Sequence, residues 1–225
     1  MAEEVACNAF ASRGQLRRLK PSPARTDALS SPMPDTIPLF PLSTVLFPEG
    51  ALKLRIFETR YVDMIGRCMK EQSGFGVVLI VDGLEAGSPV TTAEVGTLAR
   101  ITDFERLSDG LLGITAQGER RFRMVTARRQ ADGLNVGEVE WLPAEISMPV
   151  PAEHLDLSEA LTELWPRLTE GRDPTPPRYD DAGWVSARLA EILPLAVTER
   201  QRCLEISDPA LRLQYLRERI PGMHG

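Results

Sequence analysis

The hydrophobic pattern of the chain changes its period once, near residue 150. Before that point, short apolar runs alternate with polar residues or end at glycine-rich turns, which is typical of β-strands. The runs that predict strands are IPLFPL, ALKLRIF, FGVVLIVDG, VGTLARITDFERL, LLGITAQGERRFRMV and LNVGEVEWL. Some six short strands with glycine-rich turns favour a small barrel or sandwich.

One helix interrupts these strands. It is predicted to start at Glu58 and to end at Ser73-Gly74. Apolar residues recur at helical spacing at Tyr61, Ile65, Cys68 and Met69. We expect this helix to cover an open end of the strand region.

After Pro151 the apolar period becomes helical. The first stripe consists of Leu157, Leu161, Leu164, Trp165 and Leu168, and Pro166 is expected to kink or split its helix. The second stripe consists of Val185, Leu189, Ile192 and Leu193. Thr198 is expected to start a third helix with a capping box closed by Gln201. Asp208-Pro209 predicts the start of a fourth helix, whose expected buried face is Leu211, Tyr215, Leu216 and Ile220.

The sequence therefore predicts an α+β protein in three parts. Residues 1–34 are rich in Ala, Ser, Pro and Arg without lasting periodicity, and they are expected to form a disordered arm. Whether Met1 or Met33 is the true start stays open. Residues 35–148 are expected to form the strand domain, and residues 149–225 a small helical bundle.

Composition excludes several partner classes. The net charge of −6 argues against broad binding of nucleic acid. No apolar run approaches the roughly 18 residues that a membrane span needs. The three cysteines, Cys7, Cys68 and Cys203, form no C-x-x-C pair, so neither a zinc site nor any other metal site or cofactor is expected. Reduced thiols favour a cytoplasmic location.

The motifs of common enzyme classes are missing. There is no phosphate-binding G-x-x-x-x-G-K-[ST], no G-x-G-x-x-G and no G-x-S-x-G elbow. Lys53 and Lys70, which a Ser-Lys dyad would require, fall at positions expected to face solvent. A pair of catalytic carboxylates stays possible by sequence, but nothing places two of them in an apolar pocket. We predict a protein without catalytic residues that is not an enzyme.

Two charged stretches are candidates for binding. Arg55, Glu58 and Arg60 in RIFETRY are interpreted first as ion pairs that fasten a strand to a helix, and second as the rim of a peptide groove. In GERRFRM, Arg121 and Arg123 are interpreted first as the polar face of a strand, and second as an RNA-binding strip. The absence of alternating exposed aromatic residues disfavours RNA.

The ordered segments PLFPLSTVLFPEGALKLRIFETRYVDMI, FGVVLI, VGTLARI, DGLLGITAQGERRFRM, VEWL and ISDPALRLQYL resemble the amino-terminal substrate-recognition domain of Lon proteases. The resemblance covers about residues 36–221 and is greatest to the stand-alone bacterial form. It implies a PUA-like β-barrel with one covering helix, followed by a helical subdomain, and a role in recognising polypeptides. It does not imply proteolysis, because the chain ends before an ATPase module or a Ser-Lys peptidase domain. Glu49 and Thr59 depart from the family pattern beside the charged cluster.

The leading hypothesis is a non-enzymatic module that binds apolar stretches of unfolded or flexible polypeptides, in possible cooperation with a separate ATP-dependent protease. The expected binding residues are Phe40, Leu42, Leu46, Phe47, Arg55, Glu58, Arg60 and Tyr61. One alternative is an RNA-binding PUA-like module. Another is a sensor or enzyme with a small-molecule site at the barrel mouth, which predicts a deep pocket with convergent polar groups.

Overall fold

The structure is a computed structural model that describes residues 35–82, 91–169 and 176–220. The predicted disordered arm, residues 1–34, lies outside the described residues. The strands are β1 (Asp35–Leu42), β2 (Ala51–Ile56), β3 (Phe75–Asp82), β4 (Thr91–Thr92), β5 (Val95–Arg106), β6 (Leu112–Arg129) and β7 (Asn135–Trp141). The helices are α1 (Thr59–Glu71), α2 (Leu155–Leu168), α3 (Ala182–Ile192), α4 (Val197–Glu205) and α5 (Pro209–Arg217). The predicted order of strands, one helix, strands and then helices is confirmed.

The strands form one mixed, mostly antiparallel sheet in the order β1-β7-β6-β5-β3-β4, with β2 added to β6. The long strand β6 pairs with β2, β5 and β7 along different parts of its length. Strand β1 pairs with β7 in antiparallel fashion and with β3 in parallel fashion. Both edges of β1 are therefore hydrogen-bonded, although closure into a PUA-like barrel stays a prediction.

Helix α1 packs its apolar side into the core of the strand region. Its buried residues are Tyr61, Met64, Ile65 and Cys68. The helix ends where Gln72 adopts a left-handed conformation (φ 52°), and the N–H of Ser73 then donates to the carbonyl of Cys68. The turn that places β3 next to α1 is thus built by a helix cap at the predicted position.

The helical part packs around α3. Eight of the eleven residues of α3 are buried, so this helix is covered on several sides. Its start is capped by Asp181, whose carboxylate accepts a hydrogen bond from the N–H of Trp184 at 2.8 Å. The apolar cluster around α3 also includes Phe47 and Val95, which belong to the strand region. The predicted boundary near residue 149 therefore separates two kinds of secondary structure that share an apolar core.

Two predictions about helix breaks and caps are wrong, namely a split of the helix at Pro166 and a cap at Thr198, whereas a kink at Pro166 stays a prediction. Helix α2 is continuous through Pro166, because this proline lies near the end of a helix that stops at Leu168. Helix α4 starts at Val197 after Ala196, whose N–H donates to the Glu199 carboxylate at 3.0 Å. Glu199 thus supplies the acidic half of a capping box, and Thr198 is not the cap. Gln201 is buried instead and donates to the carbonyl of Val95 at 3.0 Å.

The predicted buried face of α5 is also partly wrong. Leu211 is 56% exposed, whereas Arg212 is only 1% exposed and Leu213 and Leu216 are buried. The helix is rotated because Arg212 finds a carboxylate and backbone carbonyls inside the protein. Arg212 was not among the residues predicted for the buried face.

Candidate functional site

The charged cluster between β2 and α1 divides into two separate ion pairs. Arg60 pairs with Glu58 at 2.7 Å and also donates to the carbonyl of Gly133, in the turn between β6 and β7, at 2.8 Å. Both side chains are mostly buried. The pair lies at the start of α1, and Arg60 joins it to a distant turn of the sheet. Among the described residues, no ion pair links Arg55 of β2 to the start of the helix, so the predicted strand-to-helix pair is not observed.

Arg55 does not join that pair. It forms an ion pair with Asp109 in the turn between β5 and β6, and its side chain is 62% exposed. Exposed pairs of this kind contribute little to stability. A binding role for Arg55, Glu58 and Arg60 stays a prediction, but the three charges do not form one rim.

The apolar residues predicted to line a groove are all buried: Phe40, Leu42, Leu46, Phe47 and Tyr61. The rings of Phe40 and Tyr61 stack with centroids 3.9 Å apart. None of these five side chains is therefore exposed enough to form an apolar docking patch. In this structure these residues stabilise the core, and their contact with a client stays a prediction.

Exposed apolar groups lie instead on the other flank of α1. Met69 is 38% exposed and Phe104 of β5 is 58% exposed. Together with half-buried Ile101 they line a shallow depression of about 450 Å³ between the C-terminal end of α1 and β5, which we call the α1–β5 groove. Its complete lining is Cys68, Met69, Gln72, Ser73, Arg100, Ile101, Thr102, Asp103 and Phe104.

Local backbone features place these side chains together. An irregularity in the pairing of β5 with β6 falls between Ile101 and Asp103, which is the signature of a β-bulge. The extra residue brings Ile101 and Phe104 to the same face of the strand. Arg100 closes the end of the groove, because it donates to the carbonyl of Gln72 at 2.8 Å and pairs with Glu119. The sequence gives no strong signal for this site, since its residues come from a helix and a strand whose apolar patterns have different periods.

A second candidate is a cavity of about 250 Å³ where the sheet meets the helical part. Its lining includes Glu145, which pairs with Arg212 and, at 3.2 Å, with Arg121. Arg212 also donates to the carbonyl of Cys203 at 2.8 Å, and Arg121 donates to that of Leu204 at 2.7 Å. We call these three residues, Arg121, Glu145 and Arg212, the junction cluster.

The junction cluster corrects the interpretation of GERRFRM. Arg121 is 4% exposed and does not belong to a solvated polar face. Burial lowers the pKa of its guanidinium, and Glu145 opposes that effect. Arg123 is exposed and pairs with Glu94 at 3.2 Å. The two arginines that the RNA-binding interpretation placed on one strip thus lie in different environments, Arg121 buried and Arg123 exposed.

The cavity does contain convergent polar groups, as the small-molecule hypothesis requires. However, Arg121, Arg188 and Arg212 already bind carboxylates or backbone carbonyls. The thiol of nearby Cys203 is buried, and desolvation raises its pKa to about 11, so it is protonated at neutral pH. These contacts give the buried charges a structural role, because they join the sheet to the helical part.

Residues 36–220 match the family model of the ATP-dependent protease La (LON) substrate-binding domain. The chain belongs to this family. It is 24% identical over 193 residues to Lon protease 2 of Myxococcus xanthus, covering 83% of this chain and 23% of that protein. It is 30% identical over 145 residues to protein cereblon of Xenopus tropicalis, covering 61% of this chain and 31% of that protein. The chain thus spans about a third or less of these curated relatives.

Two solved structures agree with the family assignment. The Lon N-terminal domain protein of Xanthomonas campestris superposes with a TM-score of 0.71 at 37% identity, covering 83% of this chain and 99% of that one. The N-terminal domain of a Mycobacterium avium complex Lon protease superposes with a TM-score of 0.58 at 15% identity, covering 82% and 97%, and this likeness concerns the fold alone. Family membership suggests polypeptide recognition. Within the described part of the chain, every helix is too short or too polar to cross a bilayer.

Proposed function

We propose that this protein is a non-enzymatic module that binds exposed apolar stretches of polypeptides in the α1–β5 groove. Its family is named for substrate binding, which supports a polypeptide as the ligand. The observation that carries the location is the exposure of Phe104 and Met69 beside the same depression. Neither side chain is needed to fill the core, so both are available to a client.

The affinity of such a site would come mainly from apolar burial. Covering a phenylalanine or methionine side chain completely contributes roughly 1.5–3 kcal/mol, and both residues here start partly covered. A shallow groove with two or three such anchors supports micromolar rather than nanomolar binding. Apolar burial depends weakly on sequence, which suits a module that recognises unfolded segments of many proteins.

We also propose that the module is a PUA-like barrel that acts with a separate protease in the cytoplasm. The pairing of β1 with both β3 and β7 supports a PUA-like barrel. The similarity to Lon proteases supports cooperation with an ATP-dependent protease that would degrade the bound client. The buried free thiols of Cys68 and Cys203 support a reducing, cytoplasmic compartment.

Fluorescence anisotropy with a labelled, permanently unfolded protein tests this function. Phe104→Ser should weaken binding about tenfold, since an aromatic anchor is lost. Phe57→Ser is the matched control, because Phe57 is 66% exposed but does not line the groove. Saturable binding that only Phe104→Ser weakens supports the proposal. Absence of binding at high micromolar concentration, or equal losses in the two variants, contradicts it.

A further inference from the structure

The C-terminal half of β5 has an open edge. Strand β3 covers one side of β5 only at Thr97, Leu98 and Ala99. From Arg100 to Arg106, β5 pairs with β6 on one side, and the described residues provide no strand on the other side. The α1–β5 groove begins beside this open side. A strand edge of this kind presents N–H and C=O groups that can pair with another chain.

The open edge carries both apolar and acidic side chains. Ile101, Asp103 and Phe104 line the groove, while Glu105, which follows Phe104 in the strand, points to the opposite face. Across β6 these two acidic residues lie opposite Thr115 and Gly113 rather than a cation. Among the described residues, no lysine or arginine nitrogen forms an ion pair with either carboxylate.

We propose that a client segment binds in extended form as an additional strand along residues 101–106 of β5. This inference rests on the proposed function and specifies its substrate class. Main-chain hydrogen bonds to the open edge provide affinity, and alternate side chains provide selectivity. Apolar residues of the client enter the groove beside Ile101 and Phe104. Its intervening residues lie next to Asp103 and Glu105, so the preferred segment alternates apolar and basic residues.

Synthetic nine-residue peptides separate strand pairing from simple apolar contact. The probe alternates valine and lysine, and its two variants carry N-methyl groups on all valines or on all lysines. In an extended chain, alternate N–H groups point to the same edge, so exactly one of the two variants should bind about tenfold more weakly. Equal affinities of the two methylated peptides, or equal losses, overturn strand pairing.

The charge preference is tested on the protein. The alternating valine–lysine peptide should bind more tightly than its valine–glutamate counterpart, and the difference should shrink at high salt. The double variant Asp103→Lys with Glu105→Lys should reverse this preference. The matched control, Glu138→Lys with Glu140→Lys on exposed positions of β7, should not reverse it. If both double variants act alike, the edge does not select basic clients.

Failure of this inference is distinguishable from failure of the proposed function. If unfolded protein still binds and Phe104→Ser still weakens it, but the methylated peptides behave alike, the groove binds apolar side chains without adding a strand. If neither unfolded protein nor any peptide binds, the proposed function itself is wrong. Amide hydrogen exchange gives an independent readout, because strand addition should slow exchange within residues 101–106.

Discussion

The junction cluster and the α1–β5 groove show opposite departures from the usual distribution of residues. The junction cluster buries two arginines between sheet and helices, and both bind the half-buried Glu145 and backbone carbonyls. The α1–β5 groove instead leaves a phenylalanine and a methionine in contact with solvent. Charged residues are ordinarily outside and large apolar residues inside.

This comparison indicates that the junction cluster is a structural site and that the α1–β5 groove is free to bind a partner. Buried charges are costly unless they are paired, and here the pairing is supplied within the chain. Exposed apolar surface stays in contact with water until a partner covers it. Concentrated charge in a cavity is therefore the weaker indicator of ligand binding in this protein, and the exposed apolar groove is the stronger one.

The largest expected effect comes from breaking the junction cluster. Arg212→Ala removes a buried partner of Glu145 and should lower the free energy of unfolding by about 3–5 kcal/mol. Arg202→Ala is the control, because Arg202 forms an exposed pair with Glu205 whose loss should cost less than about 1 kcal/mol. Urea titration measures both values. Similar values for the two variants would show that the junction cluster does not hold the two parts together.

The second prediction compares the two arginines of the charged cluster. Arg60→Ala should cost about 1.5–3 kcal/mol, since it removes a mostly buried ion pair and the hydrogen bond to Gly133. Arg55→Ala should change stability by less than about 0.5 kcal/mol because its pair with Asp109 is exposed. Thermal and urea unfolding measure the difference. If Arg55→Ala destabilises as much as Arg60→Ala, the division of the cluster into two unequal pairs is incorrect.

A smaller effect is expected at Gly66, on the outer side of α1. A Cβ added there meets no atom within 4 Å, so no contact within the described residues requires glycine. Gly66→Ala should raise the free energy of unfolding by about 0.5–1 kcal/mol through helix propensity. A gain in stability together with weaker client binding would place Gly66 in the binding surface. A loss of stability would contradict the open environment of this position.

The smallest expected effect is a pH dependence of the free energy of unfolding that arises from His154. Burial and the neighbouring charge of Arg217 lower the pKa of His154, although Glu153 and Asp156 oppose this shift. The unfolded state then takes up a proton at a higher pH than the folded state, so stability should fall as pH decreases through about 6.5. Urea unfolding between pH 7.5 and 5.5 should show this fall, and His154→Gln should flatten it. An unchanged slope in the variant would exclude His154 as the cause.

Much of the secondary structure follows from the sequence. The period of apolar residues located the strands, helix α1 and the later helices, because burial of one face imposes that period. The Asp208-Pro209 pair correctly located the start of α5, where Asp208 accepts a hydrogen bond from the N–H of Ala210 at 2.9 Å. Capping motifs in the sequence were a less reliable guide at α4, where Ala196 rather than Thr198 precedes the helix and the Glu199 carboxylate accepts from the N–H of Ala196.

The candidate site was much less predictable. The pattern marked Phe40, Phe47 and Tyr61 as unusually apolar, but it did not distinguish core residues from residues of an exposed groove. Met69 was assigned to the buried side of α1, whereas it contributes to the α1–β5 groove. Phe104 carried no signal of its own within the strand DFERL. Its exposure depends on which neighbours the folded chain places beside it.

The sequence by itself determined the types of secondary structure and membership in the LON substrate-binding domain family, since both depend on residue order and local periodicity. Only the tertiary structure decided which charges are buried and which apolar groups are exposed. Arg121 and Arg212 are enclosed because Glu145 and backbone carbonyls reach them from distant parts of the chain. The edge of β5 is open because β3 stops pairing with it after Ala99. Long-range partners of this kind are a property of packing, and local sequence periodicity does not encode them.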